Sequence, residues 1–222
     1  RLDAPGITSI EPSLDGRFRE ALLFAGEGHV EPRAVLPKLH AKLTEAGGTI
    51  KFGSDRKPED IADGIVIDCR GLSARDTFPE LRGVKGELII VETPEIQLSR
   101  PVRLLHPRIP LYIVPRDDGL FMIGATMIES EERRAVSLRS AVELMNAAYT
   151  LHPAFGEAEI VELGADLRPA FPDNLPQVRQ VDGVLHANGL FRHGFLLAPW
   201  LAGQVADLLE TRDEDLPERR RA

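Results

Sequence analysis

The sequence predicts an α/β (α+β) fold, and three observations carry that expectation. Apolar spacing switches repeatedly between a period of two and one of about 3.6 residues along the chain. From residue 84 onward, four apolar runs are separated by turns rich in Pro, Asp and Gly, which predicts an antiparallel sheet. Several longer stretches carry helix start and stop signals.

The first helix is expected over residues 34–46. Glu31-Pro32 precedes it, Val35, Leu36, Leu39 and Leu43 share one face, and Gly47-Gly48 stops it. Pro37 then has to lie near the first turn. Short strands are expected at TIKF and at GIVIDC, residues 64–69, the latter apolar enough to be covered on both faces of a parallel sheet. VKGELIIVET, PVRLLH, PLYIVPR and GLFMIGAT follow as strands, with Arg116-Asp117-Asp118-Gly119 as a hairpin turn. A second helix is expected over 137–151, capped by Ser137, ended by Pro153, and buried through Leu138, Ala141, Val142, Met145, Ala148 and Tyr149. EIVELGADLRP and GVLHAN (183–188) read as strands. A last helix runs from Pro199 to Glu210 with Leu201, Val205, Leu208 and Leu209 inward, and residues 211–222 form a charged, solvated tail.

Composition narrows the function classes. The 222 residues suffice for one large or two small domains with a core. A net charge of −8, with no face-sized block of Lys and Arg before the extreme C-terminus, argues against nucleic acid as a partner. No apolar run approaches the roughly 20 residues of a membrane helix, so no membrane partner is expected. The single cysteine, Cys69, excludes an internal disulfide and suits a reducing cytoplasm, with a buried, inert thiol expected. His29, His40, His106, His152, His186 and His193 show no metal-ligand spacing. The opening RLDAPGITSIEPSL, without an initiator Met, reads as the interior of a longer protein.

The stretch NGLFRHGFLLAP combines a strand end, a glycine-bearing loop and a helix start, so free backbone N–H groups and the positive helix end face whatever occupies the loop. An electron-rich ligand suits it. Gly189 and Gly194 would let the backbone approach a flat ligand, and Arg192 offers a fork for a carboxylate. The alternative is that both glycines serve turns and Arg192 is a surface charge; spacing alone does not separate the two. Arg168, at a strand end before Pro169, can point into a cleft or sit in a salt bridge. Tyr112, alternating with Val114, can offer its hydroxyl to a ligand or cap a core face.

Taken together, GEGHVEPRAVLPKL, VIDCRGLSA, LRGVKGE, RLLHPRIPLYIVPRDDGLFMIGATM, LRPAFPDNLP and NGLFRHGFLLAP resemble, in order, the C-terminal two-thirds of the D-amino-acid-oxidase-like flavoenzymes, and among them the glycine oxidases of thiamine biosynthesis. The resemblance implies FAD, a small amino-acid substrate, molecular oxygen and a cytoplasmic enzyme, and it admits a homo-oligomer. It implies an antiparallel substrate-domain sheet plus the C-terminal part of a Rossmann-like FAD domain. The expected division is residues 1–30 as entry to the substrate domain, 31–78 in the FAD domain, 79–165 as the substrate-binding sheet with its helix, and 166–210 as the return to the FAD domain. By the same resemblance Arg168 binds the substrate carboxylate, Tyr112 assists it and Arg192 is a second arginine nearby. Gly71, Gly189, Phe191, Arg192, His193, Gly194, Phe195 and Leu196 would lie against the cofactor, and the helix from Pro199 would direct its N-terminus at the ring.

Two departures stand out. His193 replaces the Asn common in relatives. The Gly-x-Gly-x-x-Gly turn that grips the FAD pyrophosphate is not in the sequence. The expected activity is oxidation of glycine to its imine with formation of hydrogen peroxide, by the intact enzyme rather than by these residues alone. Sarcosine or a D-amino acid as substrate, or a non-catalytic binding module, are the alternatives.

Overall fold

Strands supply the framework in the computed structural model, which describes residues 1–105 and 111–214. In chain order the elements are β1 (Leu2–Asp3), α1 (Ala4–Ile10), β2 (Glu20–Ala21), α2 (Pro32–Glu45), β3 (Ile67–Asp68), β4 (Arg82–Glu92), β5 (Val102–Leu104), β6 (Leu111–Pro115), β7 (Leu120–Gly124), α3 (Leu138–Leu151), β8 (Glu159–Ala170), β9 (Gln177–Val181), β10 (Val184–Asn188) and α4 (Gly194–Glu214). They form sheets of order β1-β2, β3-β10-β9 and β5-β6-β7-β4-β8. Packing divides the chain into two units: Arg1–Phe52, Gly86–Met127 and Arg133–Asp166 in the first, and Gly53–Lys85, Ile128–Glu132 and Leu167–Ala222 in the second. The helix at Pro32–Glu45 therefore groups with the first unit. Among the described residues no helix is long and apolar enough to cross a membrane.

In the first unit β4, β6 and β7 pair antiparallel as expected, with Ile113 opposite Ile123 and Ile123 opposite Ile89. The hairpin turns through Asp118 (φ 60°) and Gly119 (φ 73°), the left-handed backbone that Asp-Gly supplies at low cost. One sheet face buries Ile89, Val91, Leu111, Ile113, Phe121 and Ile123 against α3, and the Phe121 and Phe155 rings meet edge to face at 5.3 Å. Ser137 caps α3 by accepting from the Ser140 amide. The buried carboxylate of Glu87 accepts from the Ser137 amide at 2.9 Å and from the Thr126 hydroxyl at 3.2 Å, which ties β4 to the start of that helix.

Several expectations give way here. The buried face of α3 is Ser140, Ala141, Leu144, Ala147, Ala148 and Leu151, so the stripe is rotated: Leu138, Val142 and Tyr149 are exposed and Leu144 takes the centre. A heptad-like reading started one position off lands on the flank of the true face. TIKF forms no strand. The helix α2 starts at Pro32 with the Glu31 carboxylate as its cap, which leaves Pro37 in its sixth position, and Leu36, Leu39 and Leu43 are all exposed. Local signals form this helix without burying its apolar side. PVRLLH pairs only over Val102–Leu104, and His106 lies outside the described residues.

In the second unit β3 is the edge of its sheet and runs parallel to β10, with His186 opposite Asp68. GIVIDC thus pairs only at Ile67–Asp68, and Ile65 and Ile67 are exposed rather than doubly covered. The strand β9 was not anticipated. Its signal is the Asp182-Gly183 pair, both at positive φ, turning β9 into β10. The helix α4 begins at Gly194, five residues before Pro199, which sits within it. Leu201 and Val205 are buried and Leu208 is exposed. The helix reaches Glu214, and the rest of the expected charged tail, residues 215–222, lies outside the described residues.

A small core of Ala74, Phe78, Leu81 and Phe171 anchors this unit, with the Arg179 guanidinium 4.5 Å from the Phe171 ring centre. Beside it Asp68 is buried, and Arg70 grips it through Nε at 3.0 Å and Nη2 at 2.8 Å while also reaching Asp76. The His186 Nδ1 lies 3.3 Å from the Asp68 carboxylate without the alignment of a hydrogen bond. Burial alone would push the Asp68 carboxyl up, but the hydrogen bonds and charge of Arg70 outweigh it and hold the carboxyl below its ordinary value.

Two outcomes are expected. Leu144→Ala destabilises the protein by about 2 to 5 kcal/mol in chemical denaturation, whereas Leu138→Ala changes it by less than about 0.5 kcal/mol. A carboxyl depressed in the folded state contributes stability above its unfolded value near 4 and loses it as pH falls through the folded value. Arg70→Gln therefore costs about 3 kcal/mol at neutral pH, and the gap to wild type closes as denaturation is repeated below about pH 4.

Candidate functional site

Because β3 and β10 are parallel, both leave their sheet at the same end, and open α/β sheets place ligands outside the carboxyl ends of such strands. Each strand is followed by a glycine in the left-handed region, Gly71 at φ 61° and Gly189 at φ 80°. The buried Asn188 joins the two turns: its Nδ2 donates to the Gly71 carbonyl at 2.8 Å, and its Oδ1 accepts from the Gly189 amide at 2.8 Å. A Cβ on Gly189 would fall 2.4 Å from the Phe171 ring, so this position is closed to any side chain. At Gly71 the nearest neighbour is the Pro169 ring at 3.7 Å, and backbone conformation is the constraint. Asn188 is a residue that sequence reasoning missed; its signal is an Asn-Gly pair closing a strand.

The chain then passes through Phe191, half-buried with φ 49°, into a tight turn over Phe191–His193 and on into α4. Arg192 is exposed and makes no ion pair among the described residues. His193 is exposed as well, with its amide donating to the Leu190 carbonyl at 3.1 Å. Gly194 has ordinary helical φ of −52° and open space where a Cβ would stand. Phe195 and Leu196 are exposed. A helix start leaves amide N–H groups without intrahelical partners, and here Arg192 lies two residues before it. That donor set fits one edge of an electron-rich heteroaromatic ring such as a flavin. The Gly-x-Gly-x-x-Gly turn that holds the pyrophosphate in dinucleotide-binding folds is not among these residues.

Arg168 is half-buried near the end of β8, one residue before the Pro169 that meets Gly71. The second unit thus gathers Gly71, Asn188 and Gly189 directly. Tyr112 belongs to the first unit, half-buried on the sheet face away from α3, and pairs across strands with Gly124 and with Arg103. Arg103 is held by Glu27 at 3.0 Å.

Cys69 corrects an expectation: its residue is exposed, not buried. Its thiol is nevertheless pushed up, first by desolvation and then by the neighbouring Asp68 charge, which disfavours the reactive thiolate. Among the described residues no group of His, Cys, Asp and Glu could hold a metal ion. Two surface concavities, about 250 Å³ beside Trp200 and Leu201 and about 410 Å³ beside His40 and Phe52, contain none of the site residues expected from sequence.

Comparison with known proteins finds relatives along nearly the whole chain. A Rhizobium etli protein named as a thiamine biosynthesis oxidoreductase, ThiO, is 53% identical over 219 residues, which are 99% of this chain and 66% of that protein. A Bacillus licheniformis glycine oxidase is 28% identical over 94% of this chain and 62% of its own length. The crystal structure of glycine oxidase from Geobacillus kaustophilus superposes with a TM-score of 0.78 at 26% identity, covering 95% of this chain and 62% of that one. The chain thus spans less than two-thirds of the length of these relatives. Residues 1–208 match the family described as FAD dependent oxidoreductase, and the chain belongs to that family.

Proposed function

We propose that the chain serves a flavin-dependent oxidase of glycine or a similarly small amine, supplying an imine for the thiazole of thiamine. The observation that carries this reading is Arg192: an exposed guanidinium without an ion-pair partner among the described residues, set between the Asn188-Gly189 clamp and the start of α4. The names of the relatives above support the substrate class.

In this reading Arg168 takes the substrate carboxylate through its two-pronged fork, and the Tyr112 hydroxyl adds a neutral hydrogen bond. The carboxylate fixes one end of a very small molecule, so the Cα–H bond has few directions left to point. Arg192 and the first turn of α4 place positive potential where negative charge develops. No side-chain base is needed, since the amine reacts in its neutral form. Bound FAD would accept the electron pair leaving with the Cα hydrogen and return it, with two protons, to dioxygen as hydrogen peroxide. The imine forms as the amine nitrogen gives up its proton.

The FAD-loaded enzyme is expected to consume oxygen with glycine, with sarcosine and D-alanine as comparison substrates; absence of peroxide with all three overturns the proposal. Arg168→Ala should raise the glycine KM by an amount worth about 2 to 5 kcal/mol, because a desolvated carboxylate loses its charged partner. Arg192→Leu should lower the flavin reduction potential and weaken glycolate inhibition together. About 1.4 kcal/mol corresponds to roughly 30 mV for a two-electron couple, so spectroelectrochemical titration beside a glycolate binding curve resolves it.

A further inference from the structure

The sheet that carries Tyr112 has a missing side chain directly beside the phenol. Register sets Gly124 of β7 opposite both Tyr112 of β6 and Leu88 of β4, while Arg103 of β5 lies opposite Tyr112. Alternation puts these four residues in one row across the face opposite α3. Gly124 is buried and its φ is not positive, so no turn requires glycine there. Gly124 is the last residue of β7, and a glycine in a sheet can mark the close approach of some other group. That group is the tyrosine: a Cβ at 124 would lie 3.2 Å from Cε2, Cζ and Oη of Tyr112 together. The phenol leans along the sheet and rests its hydroxyl end on the β7 backbone. An added methyl group would have to lift that end by a few tenths of an ångström to reach ordinary contact distance.

We propose that Gly124 is a positioning residue for the oxidase, the seat that sets the height and direction of the Tyr112 hydroxyl. The proposal rests on the reading of Tyr112 as a partner of the substrate carboxylate. The glycine at this end of β7 then serves the hydroxyl that it orients.

The test combines a glycolate binding cycle on the FAD-loaded enzyme with a direct view of the ring. Gly124→Ala should weaken glycolate binding about threefold to tenfold, like Tyr112→Phe, and should add less than about twofold in the Tyr112→Phe background. Labelling the enzyme with 3-fluorotyrosine gives 19F resonances that include those of Tyr112 and Tyr149, each identified by its loss in the Tyr112→Phe or Tyr149→Phe variant. Gly124→Ala should move that of Tyr112 and leave that of Tyr149 in place, which also reports an intact fold. If Tyr112→Phe weakens glycolate binding but Gly124→Ala does not, the seat is overturned and the role of Tyr112 stands. Equal losses from Gly124→Ala in both backgrounds overturn it as well, because the glycine then acts on something else. If Tyr112→Phe leaves binding unchanged, the role of Tyr112 falls and the seat falls with it.

Discussion

The side-chain amide of Asn188 uses its donor on the Gly71 carbonyl and its acceptor on the Gly189 amide, and through these two hydrogen bonds it couples turns that are remote in sequence. A buried amide must satisfy both of its ends, and here each end meets a backbone group that a turn has freed from the sheet. The parallel pairing of β3 with β10 brings the turns side by side, and left-handed backbone at both glycines bends them away. Once Gly189 is held, Phe191, Arg192 and the start of α4 follow within a few residues. The position of the exposed guanidinium is therefore inherited from a neutral hydrogen-bonding group behind it.

What could be read from the sequence was whatever local chemistry decides. The Asp118-Gly119 hairpin, the Ser137 cap and the strands from β4 to β7 all follow from residues within a turn or two of one another. What failed depended on partners distant in sequence. Whether Ile65 and Ile67 are covered depends on the neighbours of β3, and the described residues supply one on one side only. The rotation of the α3 stripe toward Leu144 is set by the sheet it packs on, which periodicity alone cannot orient. Proline favours first turns, and by that local rule α4 is expected to start at Pro199. In fact the helix begins at Gly194 and tolerates proline within it, at an exposed position where water can satisfy the freed carbonyl. Of the candidate site, Gly71, Gly189 and the arginines could be named from motifs, whereas Asn188 could not, because its role is a contact between two motifs.

Both units bury a carboxylate, and each does so in its own way. Glu87 accepts from the Ser137 amide at the start of α3 and from the Thr126 hydroxyl. Asp68 is met by a guanidinium that itself reaches a second carboxylate, so its charge is shared over a short chain of ions. The polar network around Asp68 also abuts the aromatic cluster of Phe78 and Phe171, whose ring is what forbids a side chain at Gly189.

Cys69 adjoins that network, exposed to solvent, in a chain whose proposed chemistry releases hydrogen peroxide. Peroxide attacks thiolates far faster than thiols. Desolvation and the adjacent Asp68 charge both raise the thiol, so the same buried carboxylate that organises the strand end also disfavours the thiolate of Cys69.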